Sequence, residues 1–292
     1  MTTRLLVPTD GSDSARAALE HALDIAADRE ATVQLLYVAD TKKPSLTRLG
    51  TDVVDVLERE GDEILDAAAA LAEDRGVSVE TDVVQGDPRT AIVEYTTGGE
   101  FDLVVMGAHG RRGIGEYVLG STTDCVVNRS GIPVLTVRAA DEARRVYPYG
   151  DVLVPTDGSD HASVALDRAA SVAARHDATL HLLSVVDELP EVIDAGSTQL
   201  SSQLEENVQA VLDEAEATAR RAGVDEIRTS ITAGPVPREI TSYVDEEEID
   251  LVVMGTHGHT GLDRHLLGSF TERVIRTSPV PVLTTRRADE LE

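Results

Sequence analysis

Cysteine is almost missing from this chain: Cys125 is the only one, so no internal disulfide can form and a reducing compartment is expected. Its place on an amphipathic helical pattern reads as packing rather than as a nucleophile. Lysine is nearly absent too. All 26 basic residues are arginine except Lys42 and Lys43, and no GxxxxGK[ST] phosphate loop can be built without a lysine in the right place. No GxGxxG follows the first apolar run either, so neither a P-loop NTPase nor a dinucleotide dehydrogenase fits. Long apolar runs are also lacking, and none approaches the roughly 18 residues of a membrane span. Met1-Thr2-Thr3-Arg4 leads straight into a strand without a signal-peptide layout. A cytoplasmic protein is therefore expected. Positive charge is scarce: 53 acidic residues stand against the 26 basic ones, for a net charge of -27. Such a surface repels nucleic acid and anionic membranes, and it stays hydrated where salt screens its self-repulsion, so a salt-rich, halophilic setting is expected.

What the chain does have is one pattern twice. Gly107-Ala108-His109-Gly110 is followed by nine residues and Gly120-Ser121, and Gly255-Thr256-His257-Gly258 by nine residues and Gly268-Ser269. Each copy follows a short apolar run ending in Met106 or Met254, which reads as a buried strand feeding a glycine turn. Glycines permit positive φ and close backbone approach, and Gly-Ser then opens a helix whose N-terminus offers unpaired N–H groups and a positive dipole end. Two phosphate-binding loops are expected. Ser121 and Ser269 also begin capping boxes, Ser121-Thr122-Thr123-Asp124 and Ser269-Phe270-Thr271-Glu272, so each serine can cap its helix, meet a ligand, or do both.

At 292 residues about two domains are expected. Arg4 to Pro8 reads as a strand ending in the turn Thr9-Asp10-Gly11-Ser12, with a helical pattern after it. Thr32 to Val38 is a second strand, a polar stretch from Thr41 to Thr51 leads into a helix from Asp52 to Arg75, and Val77 to Gln85 is a third strand. A short helix from Gly86-Asp87-Pro88 to Tyr95, the strand before Gly107, a helix from Ser121 to Asn128 and a last strand from Ile132 to Val137 complete the unit. Alternating strands and helices call for a parallel sheet covered on both faces. The first strand and turn recur 147 positions later, as Asp151 to Ser159, and the glycine loops 148 positions later, so one residue is inserted between them. The expected fold class is α/β, two tandem doubly wound domains at 1–139 and 151–292 joined by a linker at 140–150, each a five-stranded sheet of order 3-2-1-4-5. The last strands, Ile132 to Val137 and Val280 to Thr285, are short apolar edges expected to pair the two domains internally.

In a sheet of that order the carboxyl ends of strands 1 and 4 flank the ligand crevice. Asp10 then faces the first glycine loop and Asp157 the second, where a carboxylate can accept from ribose hydroxyls or help hold Mg2+. Each Asp can instead cap its following helix or shape its Asp-Gly turn. His109 and His257 are the recurrent acid/base candidates, but no recurrent carboxylate lies near them in sequence, and a histidine in a glycine turn is more often a hydrogen-bonding or exposed side chain, so no catalytic residue is expected.

The Pro-Thr-Asp-Gly-Ser opening and the G-x2-G-x9-G-S loop, both present in both halves, resemble the ATP-binding subgroup of the universal stress protein family over essentially the whole chain. That resemblance implies an ATP-binding stress-response or signalling module built as an internal pseudo-dimer, with a weak ATP hydrolase or phosphoryl-transfer enzyme as the alternative use of the same pockets. It implies adenosine-side contacts from Thr9, Asp10 and Val38, and phosphate-side contacts from Gly107, Gly110, Gly120, Ser121 and Thr122. In the second copy the matching residues are Thr156, Asp157 and Val185, then Gly255, Gly258, Gly268, Ser269 and Phe270. Val38 and Val185 would meet adenine through backbone groups; by spacing alone they are ordinary core valines. Phe270 departs from Thr122 and cannot offer a hydroxyl to phosphate. Met106 and Met254 join the candidate contacts as the residues preceding each loop. After the second glycine the first loop carries Arg111 and Arg112 and the second His259 and Thr260, with Arg264 and His265 further on, so the two sites are expected to be unequal. The expected ligand is ATP with Mg2+ accompanying its phosphates, and the expected partners are the nucleotide, the sister domain and a second copy of the chain.

Overall fold

The computed structural model of the protein describes residues 3–42, 46–49, 52–110, 119–139, 143–186, 197–258 and 267–286. Two units divide between Ala143 and Arg144. The first begins with β1 (Arg4–Pro8), whose Leu5, Leu6 and Val7 are fully buried; an uninterrupted apolar run of this kind belongs to a parallel strand covered on both faces. Ser12 ends the following turn by capping α1 (Asp13–Arg29), its Oγ accepting from Ala15 N at 3.2 Å. The chain returns through β2 (Thr32–Asp40), parallel to β1 with Arg4 opposite Thr32. An antiparallel hairpin comes next, β3 (Leu46–Leu49) and β4 (Asp52–Asp55). The expected helix start at Asp52 is therefore displaced to Val56: the β-branched pair Val53-Val54 follows a Gly-Thr dipeptide that favours a turn over a helix N-terminus.

After α2 (Val56–Glu73), β5 (Val79–Gly86) adds to the outer side of β2. Then α3 (Pro88–Gly98), capped by the Asp87 carboxylate, carries the chain back across the sheet to β6 (Leu103–Gly107) on the other side of β1, with Leu5 opposite Leu103. Finally α4 (Ser121–Arg129) leads to β7 (Val134–Val137), which pairs with β6. The order is β5-β2-β1-β6-β7, all parallel, which is the expected 3-2-1-4-5. Right-handed crossovers running in opposite directions from β1 place α1 and α2 on one face and α3 and α4 on the other. The carboxyl ends of β1 and β6 consequently part company, and the chain leaves them toward opposite faces.

The second unit repeats this plan. It runs β8 (Asp151–Pro155), α5 (Asp160–His176), β9 (Thr179–Val186), α6 (Ser197–Arg221), β10 (Ile227–Ala233), α7 (Val236–Glu246), β11 (Leu251–Gly255), α8 (Ser269–Thr277) and β12 (Val282–Thr285). Its order is β10-β9-β8-β11-β12, again parallel. The inserted residue can be placed. Val77 N bonds to Ala72 O and Val224 N to Ala219 O, 147 apart, whereas Val33 N bonds to Ser78 O and Leu180 N to Glu226 O, 148 apart for the acceptors. The extra residue is Asp225, in the exposed turn before β10, at the amino ends of the strands. That end also differs in its polar contacts. Buried His181 is held by Asp151 (2.9 Å) and by the Tyr243 hydroxyl (3.0 Å), which meets Ser230 at 3.2 Å. In the first unit the matching Tyr95 instead donates to Asp82 at 3.1 Å.

Candidate functional site

One wall of the first crevice is the turn after β1. Thr9 N bonds to Leu36 O at 2.9 Å, fixing the turn to β2, and Thr9 Oγ1 accepts from Gly11 N at 3.2 Å. Gly11 has φ 74°, so the left-handed position in this region belongs to the turn. Asp10 Oδ1 accepts from Ser12 N at 3.0 Å. Asp10 thus shapes its turn, one of the roles its sequence allows, but Ser12 and not Asp10 caps the helix. Its second oxygen, Oδ2, points at Gly110, where an added Cβ would lie 2.6 Å away. The Asp10 carboxylate thus spans from its own turn to the second glycine of the loop.

The opposite wall is the loop after β6. A Cβ on Gly107 would meet Ser14 C at 2.7 Å and Ala15 N at 2.9 Å, so this glycine lets the first turn of α1 pass over the strand end. Gly120 N donates to Ala108 O at 2.9 Å, which closes the base of the nine-residue excursion, and a Gly120 Cβ would lie 3.2 Å from His109 Cα. None of Gly107, Gly110 and Gly120 has positive φ, nor do Gly255, Gly258 and Gly268. Of the two uses expected of them, positive φ and close approach, these six glycines serve the second: a Cβ would meet the backbone of a helix at Gly107 and Gly255 and the end of the Asp10 or Asp157 side chain at Gly110 and Gly258.

Gly120 is the N-cap of α4 and makes no side-chain cap bond. The first helical bond runs from Asp124 N to Gly120 O at 2.8 Å, so the N–H groups of Ser121, Thr122 and Thr123 precede the ladder. The capping-box reading of Ser121 fails by one residue, and Ser121 stands exposed at the first helical position. Thr123, buried, donates its hydroxyl to Gly107 O at 2.8 Å and ties the helix to the strand end. The second unit matches: Gly268 is the N-cap of α8, Ser269 is exposed, and Thr271 donates to Gly255 O at 2.9 Å. Phe270 is 45 % exposed on that first turn, in place of half-buried Thr122.

His109 has a partner 95 residues away, Ser14 Oγ at 3.0 Å from Nε2. Burial and the nearby Arg138 charge push its pKa below 6.5, against an opposing pull from Asp10. A neutral imidazole anchored to α1 is a structural strut. Here the copies diverge, because His161 stands where Ser14 stands. The rings of His161 and His257 lie 5.4 Å apart, tilted by 47°, and His257 Nδ1 is 3.1 Å from Thr256 Oγ1.

The remaining candidates divide. Thr156 Oγ1 accepts from Gly158 N at 3.3 Å, Asp157 Oδ1 accepts from Ser159 N at 3.0 Å, and Asp157 Oδ2 would lie 2.7 Å from a Gly258 Cβ, reproducing the first crevice. Val38 and Val185 are half-buried near the carboxyl ends of β2 and β9, unlike the buried residues just before them. Met106 and Met254 are buried strand residues paired with Thr136 and Thr284. Arg111, Arg112, His259, Thr260, Arg264 and His265 lie outside the described residues. Cys125 is half-buried, its thiol 3.5 Å from Arg89 O and its pKa raised chiefly by burial, which is the opposite of an activated nucleophile. Among the described residues no group of three or more His, Cys, Asp or Glu side chains is placed to hold a metal, and no helix is long and apolar enough to cross a membrane.

The fold is that of a duplicated doubly wound α/β protein, with the strand order reversing once in each unit. A profile described as the universal stress protein family matches residues 1–138 and 148–286, and the chain belongs to that family. It is 30% identical over 240 residues to a universal stress protein of Mycobacterium tuberculosis, covering 79% of this chain and 78% of that one. It is 39% identical over 142 residues to a universal stress protein of Methanocaldococcus jannaschii, covering 48% of this chain and 83% of the relative. Among solved structures, a universal stress protein from Archaeoglobus fulgidus superposes with a TM-score of 0.70 at 25% identity, over 98% of this chain and 97% of that one.

Proposed function

We propose that this protein is an ATP-binding stress-response or signalling module with one nucleotide site in each unit. The observation that carries this reading is the close approach of Asp10 Oδ2 to Gly110, repeated by Asp157 and Gly258, which sets a carboxylate against the second glycine of each loop. Across from that carboxylate stands a helix N-terminus with no side-chain cap, a place where N–H groups and the helix dipole favour phosphate. The adenosine end would lie toward Thr9, Asp10 and Val38, and the phosphates toward Gly110, Gly120, Ser121 and Thr122. The second site would use Thr156, Asp157, Val185, Gly258, Gly268, Ser269 and the backbone of Phe270. Mg2+, where present, would be held mainly by the phosphates themselves, with Asp10 and Asp157 as the carboxylates in reach.

The protein would work in the cytoplasm, with nucleotide occupancy as the signal. We also propose, from the apolar last strand of each half, an internal pairing of the two domains and a further homodimer as the physiological assembly. The binding reading is tested by denaturing purified protein and identifying released ligand by mass spectrometry, followed by calorimetric titration of stripped protein with ATP. Two binding events per chain are expected. Failure of the stripped protein to take up ATP overturns the reading, and rapid release of phosphate from bound ATP would favour the hydrolase instead.

A further inference from the structure

We propose that Arg138 and Arg286 read the terminal phosphates of the bound nucleotide and set a preference for nucleoside triphosphates over monophosphates; this rests on the nucleotide-binding reading above. Neither arginine belongs to the glycine loop. Each follows the last strand of its unit, at the same 148-residue interval as the loops themselves. The registers place them. Val137 lies opposite Gly107 and its carbonyl accepts from Ala108 N at 2.8 Å; Thr285 lies opposite Gly255 and its carbonyl accepts from Thr256 N at 3.1 Å. Arg138 and Arg286 are therefore the next residues beyond the points where each loop departs from its sheet. Both are half-buried. The Arg138 charge is close enough to His109 to disfavour a proton on that imidazole.

The order of strands at the carboxyl edge gives the direction. Val38 lies near the carboxyl end of β2, Asp10 follows β1, the glycine loop follows β6 and Arg138 follows β7, so these groups are met in that sequence across the sheet. Three inter-strand spacings, about 14 Å, separate β2 from β7. A nucleotide with adenosine at the β2 and β1 end and its phosphates over the loop has its last phosphates, and not its first, on the side of Arg138. A guanidinium is permanently charged and offers a planar fork to phosphate oxygens. In a chain of net charge -27, a fixed cation beside the glycine loop has a use where a polyanion must be held.

The test is calorimetric titration of stripped wild type, R138Q/R286Q and R138K/R286K with ATP and with AMP. Wild type is expected to prefer ATP. The glutamine variant is expected to lose about tenfold or more in ATP affinity, the range for a lost charge-assisted hydrogen bond, while AMP affinity changes less than about twofold. The lysine variant should keep part of the ATP preference. Equal losses for ATP and AMP, or an unchanged preference in the glutamine variant, overturn the proposal. Wild type that binds neither nucleotide overturns instead the binding reading on which it rests. Should the double variant not fold, R138Q and R286Q singly carry the same comparison, one site at a time.

Discussion

Asp10 and Gly110 are separated by a hundred positions in sequence, yet a single Cβ on the glycine would lie 2.6 Å from the aspartate Oδ2. Asp157 and Gly258 repeat this at 2.7 Å. The contact is with the end of a side chain, so a methyl group there displaces the carboxylate rather than the backbone.

That distinction separates two glycines of one loop. G110A and G258A should weaken ATP binding with little change in stability, because Asp10 and Asp157 move out of their turns. G107A and G255A should instead destabilise the fold by about 1–3 kcal/mol, the usual cost of overpacking, because the new Cβ meets the backbone of α1 or of α5. Thermal melts and ATP titrations on the four variants check this. A loss of stability in G110A as large as that in G107A contradicts it.

The lowered pKa of His109 has a definite sign in stability. The unfolded chain takes up the proton first as the pH falls below about 6.5, so this group's contribution is fully present above that value and declines until the folded-state pKa is passed. H109Q should flatten the acid side of the stability profile between pH 7 and 5. ATP should raise the His109 pKa by placing negative charge beside it, and NMR titration with and without ATP measures the shift. A profile unchanged by H109Q removes His109 as its source.

The two sites should differ in ATP affinity. Site one pairs His109 with Ser14, whereas site two sets the His161 ring 5.4 Å from that of His257. Single-site variants G120V and G268V, titrated with ATP, expose each site in turn. H161S should bring site two closer to the behaviour of site one; equal affinities in both variants refute the distinction.

A net charge of -27 should make stability depend on salt. The melting temperature is expected to rise from low salt to molar KCl. No rise would mean that the carboxylates are spaced widely enough not to need screening.

Much of this was legible in the sequence because the chain contains its own comparison. Recurrence of the Asp-Gly turn and the glycine loop identified both crevice walls, and buried runs such as Leu5-Leu6-Val7 required a sheet covered on both faces. Features that differ between the copies gave no such signal. Ser14 and His161 occupy equivalent places but share no chemistry, so neither could be linked to its loop histidine from spacing. The cap of α4 was missed by one residue, since a serine before a helical pattern reads equally as its first member or its flank, and only the bond from Asp124 N to Gly120 O decides. Arg138 and Arg286 did recur; an arginine just past a strand usually reads as a solvated end, and only the register showed which loop it adjoins.

The inserted Asp225 has a practical consequence. The two copies tolerate one residue of difference in the exposed turn before their third strand, at the amino ends of the sheet, while the carboxyl ends keep their bonds atom for atom at Thr9 and Thr156, Asp10 and Asp157, and Thr123 and Thr271. That turn is a natural handle. A fluorophore, affinity tag or immobilisation chemistry placed on Asp225→Cys, in a chain whose only other thiol is half-buried Cys125, would leave the crevice untouched and allow ligand exchange to be watched on tethered single molecules.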